Sequence, residues 1–179
     1  MIAKQLLDTG LLQFGLFDEH NTQMPYRLRL EMLPAYPELL QNVVYRAVQS
    51  LIGVSHFDRL VAHPDAIPFA SAISLSTSVS LVYSRGRGEL PVFDLVGAYD
   101  VGHPACLIVN TLTVDTQSFL EKAEKVGLEI HTILELVSIG KRVEHIDHRA
   151  VFTMQTLIHD LLQQSAIPEH MAQTVLESL

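Results

Sequence analysis

Hydrophobic residues recur at helical spacing in two segments near the start of the chain. The first segment is residues 1 to 13 and the second is residues 36 to 52. Pro34 and Pro37 stand at the entry to the second segment, and Gly53 lies just past its end. The pattern predicts two amphipathic helices.

From residue 57 onward, short apolar runs alternate with segments of helical spacing. The runs predict strands at 57 to 63, 78 to 84, 105 to 110 and 128 to 138, with helices at 66 to 76 and 116 to 127 between them. The last 30 or so residues predict two helices broken at Pro168, the first over 149 to 163. Alternating strands and helices predict an α/β fold with a mostly parallel sheet.

Composition narrows the class of protein. The 179 residues are 48% hydrophobic and show no repeat or linker, so residues 1 to 179 are expected to form a single domain. The net charge of −8, with only 12 Lys plus Arg, argues against nucleic-acid or anionic-membrane partners. Cys106 is the single cysteine and lies in an apolar run, where packing is the expected role. We therefore expect a cytoplasmic protein.

Chemistry in a parallel α/β sheet is expected beyond the carboxyl ends of the strands. Those ends are the segments "AHPDAIP" (62 to 68), "SRGRGEL" (84 to 90), "NTLTVDT" (110 to 116) and "VSIGKR" (137 to 142). A polar turn that opens a helix, as "NTLTVDT" does, is a usual place to hold an anion. The alternative is a capped turn with a structural role only.

Residues 1 to about 142 resemble the orotate phosphoribosyltransferase family. The resemblance rests on the order of elements, on "LLDTGLLQFGLF" near the start and on "FDRLVAHPDAIPFASAISLSTSVSLVYSRGRGE" in the middle. It implies a type I phosphoribosyltransferase-like parallel sheet flanked by helices, with a small N-terminal hood segment. The family transfers ribose 5-phosphate from phosphoribosyl pyrophosphate to the pyrimidine orotate with magnesium, and its members are usually homodimers.

The resemblance also places candidate site residues. The family's pair of adjacent acids, which holds the ribose hydroxyls, corresponds to Asn110 and Thr111. The turn that binds the 5-phosphate corresponds to "TVDTQS", which contributes Thr113, Asp115, Thr116 and Ser118. The pyrophosphate loop corresponds to "AHPDAIP", with His63 as a further candidate, and the mobile catalytic loop supplies Arg85 and Arg87 as candidate catalytic residues.

These replacements remove charge that transfer of a ribosyl group needs. Asn110 and Thr111 can hydrogen-bond hydroxyl groups but cannot support a cationic centre or a hard metal ion. Asp115 is predicted to be the N-cap of the helix and to stand where a phosphate would bind. Two unit charges ~4 Å apart at an effective dielectric of ~20 repel by ~4 kcal/mol, against ~8 kcal/mol for a whole micromolar affinity.

Two functions are consistent with this sequence. The first is a non-catalytic or weakly active relative that binds a nucleotide or a sugar phosphate. The alternative is an active phosphoribosyltransferase in which Arg85 and Arg87 clamp pyrophosphate and magnesium is required.

A metal pair at His145 and His148, with Glu144 and Asp147 adjacent, is a further hypothesis. A polar lead-in to the helix at 149 to 163 is the favoured interpretation of this segment. Our assignment of site residues therefore includes no metal ligand.

Overall fold

The computed structural model describes residues 2–19, 22–54, 56–85, 94–97 and 102–179. Its α-helices are α1 (Ile2–Asp8), α2 (Pro37–Ser50), α3 (Ile67–Thr77), α4 (Val114–Lys125), α5 (Met154–Gln163) and α6 (Glu169–Glu177). Its strands are β1 (Leu12–Glu19), β2 (Thr22–Leu28), β3 (Arg59–Ala62), β4 (Ser80–Ser84), β5 (Leu95–Val96), β6 (His103–Val109), β7 (Leu128–Ser138) and β8 (Asp147–Thr153). Short 3-10 helices occupy Leu30–Ala35 and Pro64–Ala66.

Six strands form one sheet in the order β5-β4-β3-β6-β7-β8. The neighbours from β4 to β8 are parallel, and only the two-residue strand β5 pairs antiparallel, with β4. The predicted α/β fold with a mostly parallel sheet is confirmed. The parallel arrangement brings the carboxyl ends of β3, β6 and β7 to one edge.

Both faces of the sheet are buried against helices, and successive side chains of a strand enter the cores on opposite faces. Leu60 and Ala62 of β3 belong to a core shared with α1, α2, α3, α5 and α6. Val61, between them, belongs to a second core, into which α4 places Phe119. Cys106 is fully buried in the first core.

The first helix is shorter than the predicted residues 1 to 13. It ends at Asp8, and Gly10 has a φ of +70°, a left-handed conformation that closes a helix. The chain then forms β1 and β2, an antiparallel hairpin with a register shift between Phe14 and Phe17. The hairpin and the 3-10 helix at Leu30–Ala35 form the predicted hood segment.

The segment before α5 is also corrected by the structure. Residues predicted as a polar lead-in and the start of a helix form β8, which pairs in parallel with β7. Helix α5 starts only at Met154, where Thr153 accepts a hydrogen bond from the Thr156 N–H at 3.1 Å. The break between the last two helices is confirmed, since Pro168 is the N-cap of α6.

Candidate functional site

A cavity of about 660 Å³ lies at the carboxyl ends of β3, β6 and β7 and beneath the hood. This volume is typical of a site for a small molecule. The hood and the strand ends supply its apolar walls, which are Met24, Tyr26, Leu28, Leu30, Leu112 and Ile139. Its polar lining includes four of the candidate ligand-binding residues, Asn110, Thr111, Thr113 and Asp115.

The turn after β6 is bonded to the protein itself. Asn110 is 6% exposed, and its Nδ2 donates to the backbone oxygen of Asp65 at 2.7 Å. The Thr111 hydroxyl donates to the backbone oxygen of Val137 at 3.3 Å. The two residues that the sequence resemblance aligns with the family's acid pair are therefore uncharged, and their hydrogen bonds connect the turn after β6 to the segments that follow β3 and end β7.

The start of α4 is capped by threonines, so the prediction that Asp115 is the N-cap is wrong. Thr113 is the N-cap, and its N–H donates to the Thr116 hydroxyl at 3.1 Å, as in a capping box. Asp115 instead lies exposed in the first turn, where its charge still favours the helix N-terminus. Thr116 is buried by its capping role, and exposed Ser118 donates to the Asp115 backbone oxygen at 3.0 Å.

His63 lies beside the cavity rather than in its wall. Its Nδ1 is 2.5 Å from Oδ1 of Asp65, and its ring meets that of Phe119 edge to face at 5.4 Å between centroids. Asp65 itself lines the cavity. The predicted site residue His63 is thus outside the cavity lining but is hydrogen-bonded to Asp65, which belongs to it.

The cavity carries more negative than positive charge. Among the residues that the structure describes, three acids line it, Glu31, Asp65 and Asp115, together with one lysine, Lys141. Glu31 has Arg29 Nε at 3.6 Å as a partner. Asp115 forms no salt bridge with any residue in the described ranges.

A buried acid beneath the turn was missed by sequence reasoning. Glu135 in β7 is fully buried, and its Oε1 accepts a hydrogen bond from the Leu112 N–H at 2.8 Å. Burial raises the pKa of this carboxyl group above its ordinary value. A lone acid inside the apolar run "HTILELVS" was the available signal, because an acid is rarely buried without a defined partner.

His148 in β8 faces the same acid. Its Nδ1 is 4.0 Å from Glu135 Oε2, too long for a direct hydrogen bond, and burial lowers the pKa of the imidazole. His145 has a φ of +64° and is exposed. Within the described ranges no group of three His, Cys, Asp or Glu side chains could hold a metal ion, so the pair hypothesis gains no third ligand.

The candidate cationic loop is described only at its base. Arg85 is exposed, and its backbone N–H donates to the backbone oxygen of Asp94 at 3.0 Å. The Asp94 carboxylate is fully buried and bonds to the Ser84 hydroxyl and to Lys122 Nζ, the latter at 2.8 Å. Arg87 lies outside the described residues.

The fold is that of the type I phosphoribosyltransferases. No family model matches the sequence. A curated orotate phosphoribosyltransferase from Sulfolobus acidocaldarius is 24% identical over 94% of this chain and 90% of its own length. The resemblance to the orotate phosphoribosyltransferase family is therefore confirmed, and it covers nearly the whole chain.

Solved structures agree with this assignment. The structure of Leishmania donovani UMP synthase superposes with a TM-score of 0.87 and 26% identity over 99% of this chain, which spans 41% of that longer protein. The orotate phosphoribosyltransferase of Francisella tularensis gives a TM-score of 0.75 at 16% identity, over 99% of this chain and 93% of that one. The similarity thus extends past residue 142, where the resemblance in sequence motifs ends.

None of the helices in the described parts of the chain is both long and apolar enough to cross a membrane. The longest of them, α2, has 14 residues, against the ~20 that spanning a bilayer requires.

Proposed function

We propose that this orotate phosphoribosyltransferase-like protein binds a small molecule in the cavity and transfers ribose 5-phosphate weakly or not at all. One observation supports the proposal: the Asn110 amide and the Thr111 hydroxyl, which the sequence resemblance aligns with the family's acid pair, are uncharged and donate to backbone oxygens. A ribosyl transition state is cationic and is stabilised by fixed negative charge nearby. Neither residue supplies that charge.

The test is a transfer assay with orotate, phosphoribosyl pyrophosphate and magnesium. The wild-type protein is expected to be slow, and Thr111→Asp, alone or with Asn110→Asp, is expected to raise the rate by ~100-fold or more if the missing charge limits the reaction. Thr111→Ser is the matched control, because it keeps a hydroxyl without adding charge. Fast wild-type turnover that the acidic variants do not improve would refute the proposal.

Active transfer remains a second candidate because negative charge is present elsewhere in the cavity. Asp65 and Asp115 line it together with Asn110, and either could stand near a cationic centre. If the protein is active, Asp65→Asn or Asp115→Asn should reduce the rate, and Arg85→Ala or Arg87→Ala should abolish it. Removing magnesium should stop such an enzyme as well.

A further inference from the structure

The charge and polarity of the cavity define the class of ligand that it can hold. This step rests on the proposed function, since it takes the cavity to be a small-molecule site. In the part of the chain that the structure describes, the charged residues lining the cavity are Glu31, Asp65 and Asp115 together with one lysine, Lys141. A ligand bearing a phosphate would bring two further negative charges into this lining.

The three carboxylates differ in the partners that they already have within the protein. Asp65 accepts from His63 at its Oδ1, and Glu31 has Arg29 3.6 Å away. Asp115 is exposed in the first turn of α4, and no side chain in the described ranges forms a salt bridge with it. Asp115 therefore has no side-chain cation to offset its charge in the described ranges, and only the N-terminus of α4, where a 5-phosphate would approach, compensates it.

The same groups suit a ligand that carries hydroxyl groups. Carboxylates only accept hydrogen bonds, and ribose hydroxyls donate them. Thr113 lines the cavity beside Asp115 and adds a hydroxyl that can donate or accept. A hydroxyl-bearing molecule without a phosphate therefore fits the polar side best.

The apolar walls account for the rest of such a molecule. The cavity is lined by apolar side chains from the hood and from the strand ends, which include Tyr26, Met24, Leu30, Leu112 and Ile139. Aromatic and aliphatic side chains of this kind pack well against the faces of a planar ring. A planar base joined to an unphosphorylated ribose combines both requirements.

We infer that the cavity binds an uncharged nucleoside in preference to the corresponding nucleotide. The preference is set chiefly by Asp115, with Asp65 and Glu31 adding to it. Lys141 limits the preference but does not reverse it, because it is one ammonium group among three carboxylates.

The test is calorimetry with two matched pairs of probes, uridine with its 5′-monophosphate and adenosine with its 5′-monophosphate, without added metal. At least one nucleoside is expected to bind at least ~10-fold more tightly than its monophosphate, and high salt should narrow the gap. Asp115→Asn should reduce that ratio several-fold. Glu124→Gln is the matched control, because Glu124 is an exposed acid of α4 that does not line the cavity.

Tighter binding of both monophosphates, equal binding, or no binding of either nucleoside would overturn the inference. An Asp115→Asn variant with an unchanged ratio would do so as well. The result is separable from the transfer assay: rapid ribose transfer would refute the proposed function whatever the calorimetry gives. Slow transfer with a preference for monophosphates would refute the nucleoside preference alone.

Discussion

The buried carboxyl group of Glu135 should make the stability of the protein depend on pH in a defined way. Glu135→Gln is the informative change, because glutamine keeps an oxygen that can accept from the Leu112 N–H and cannot ionise. In the wild-type protein, burial raises the pKa of the Glu135 carboxyl group above the ordinary value of 4.5. The variant removes the cost of ionising this group inside the sheet.

The upward shift of the Glu135 pKa determines how stability changes with pH. A carboxyl group whose pKa is raised on folding contributes stability that is fully present below 4.5 and is lost as the pH rises through the folded-state pKa. Each unit of upward shift corresponds to ~1.4 kcal/mol of the free energy of unfolding. The stability advantage of Glu135→Gln over wild type should therefore grow with pH above 4.5 and then level off.

The pKa of His148 is shifted in the opposite direction, so its effect on stability must be separated from that of Glu135. Its pKa is lowered by burial and by Arg142, so its contribution is present above 6.5 and is lost as the pH falls below that value. Asp147 opposes this shift, while Ser138 and Lys141 oppose the upward shift of Glu135. Because wild type and Glu135→Gln both retain His148, the difference between them isolates the carboxyl group.

Glu135→Ala measures the hydrogen bond as well as the charge. Leaving the Leu112 N–H without an acceptor costs ~1–3 kcal/mol, and the loss of one buried methylene costs ~0.8 kcal/mol more. Alanine should therefore destabilise the protein where glutamine does not.

Urea unfolding at a series of pH values between ~5 and ~8 gives the free energies of unfolding. Glu129→Gln, an exposed acid of the same strand, is the control. A glutamine variant less stable than wild type by an amount that does not change with pH would refute the reasoning, since it would mean that Glu135 is ionised and favourably paired.

Three further predictions concern packing outside the cavity. Lys122→Met should lower the free energy of unfolding by ~3 kcal/mol, because it removes a cation 2.8 Å from the fully buried Asp94 carboxylate. Urea unfolding measures this loss, with Lys125→Met at an exposed lysine as the control. Gly97→Ala should cost ~2 kcal/mol in the same assay, because Gly97 has a φ of +132° and a Cβ there would lie 2.6 Å from the Leu81 backbone oxygen. The Cys106 thiol, whose pKa burial raises to about 12, should resist thiol reagents until the chain is unfolded, and rapid labelling of folded protein would contradict its burial.

The strands and helices of the sheet could be predicted where one periodicity dominates. Strand β7 was predicted with the bounds that the structure gives, because its apolar run is buried on both faces. Strand β8 was missed because "DHRAVFT" is short, polar at its start and continuous with a helical pattern. Its pairing with β7 is a tertiary effect that local periodicity does not report.

The place of the site could be predicted, but not the contacts within it. Parallel strands put the candidate turn at the carboxyl edge, and Asn110, Thr111, Thr113 and Asp115 do line one cavity there. The sequence could not decide between two potential N-caps two residues apart, and the structure gives the role to Thr113 rather than to Asp115. The roles of the candidate residues in binding or catalysis stay predictions.

The walls of the cavity come from segments far apart in the sequence. Met24 belongs to the hood, Leu112 to the turn after β6, Ile139 to the end of β7, and Ser178 to the end of α6. A bound molecule would bridge all four, so occupancy should appear as a rise in melting temperature whatever the chemistry of the ligand. A compound at ~100 times its dissociation constant adds ~2.7 kcal/mol to the free energy of unfolding, which makes thermal screening of a metabolite library a direct way to find the natural occupant.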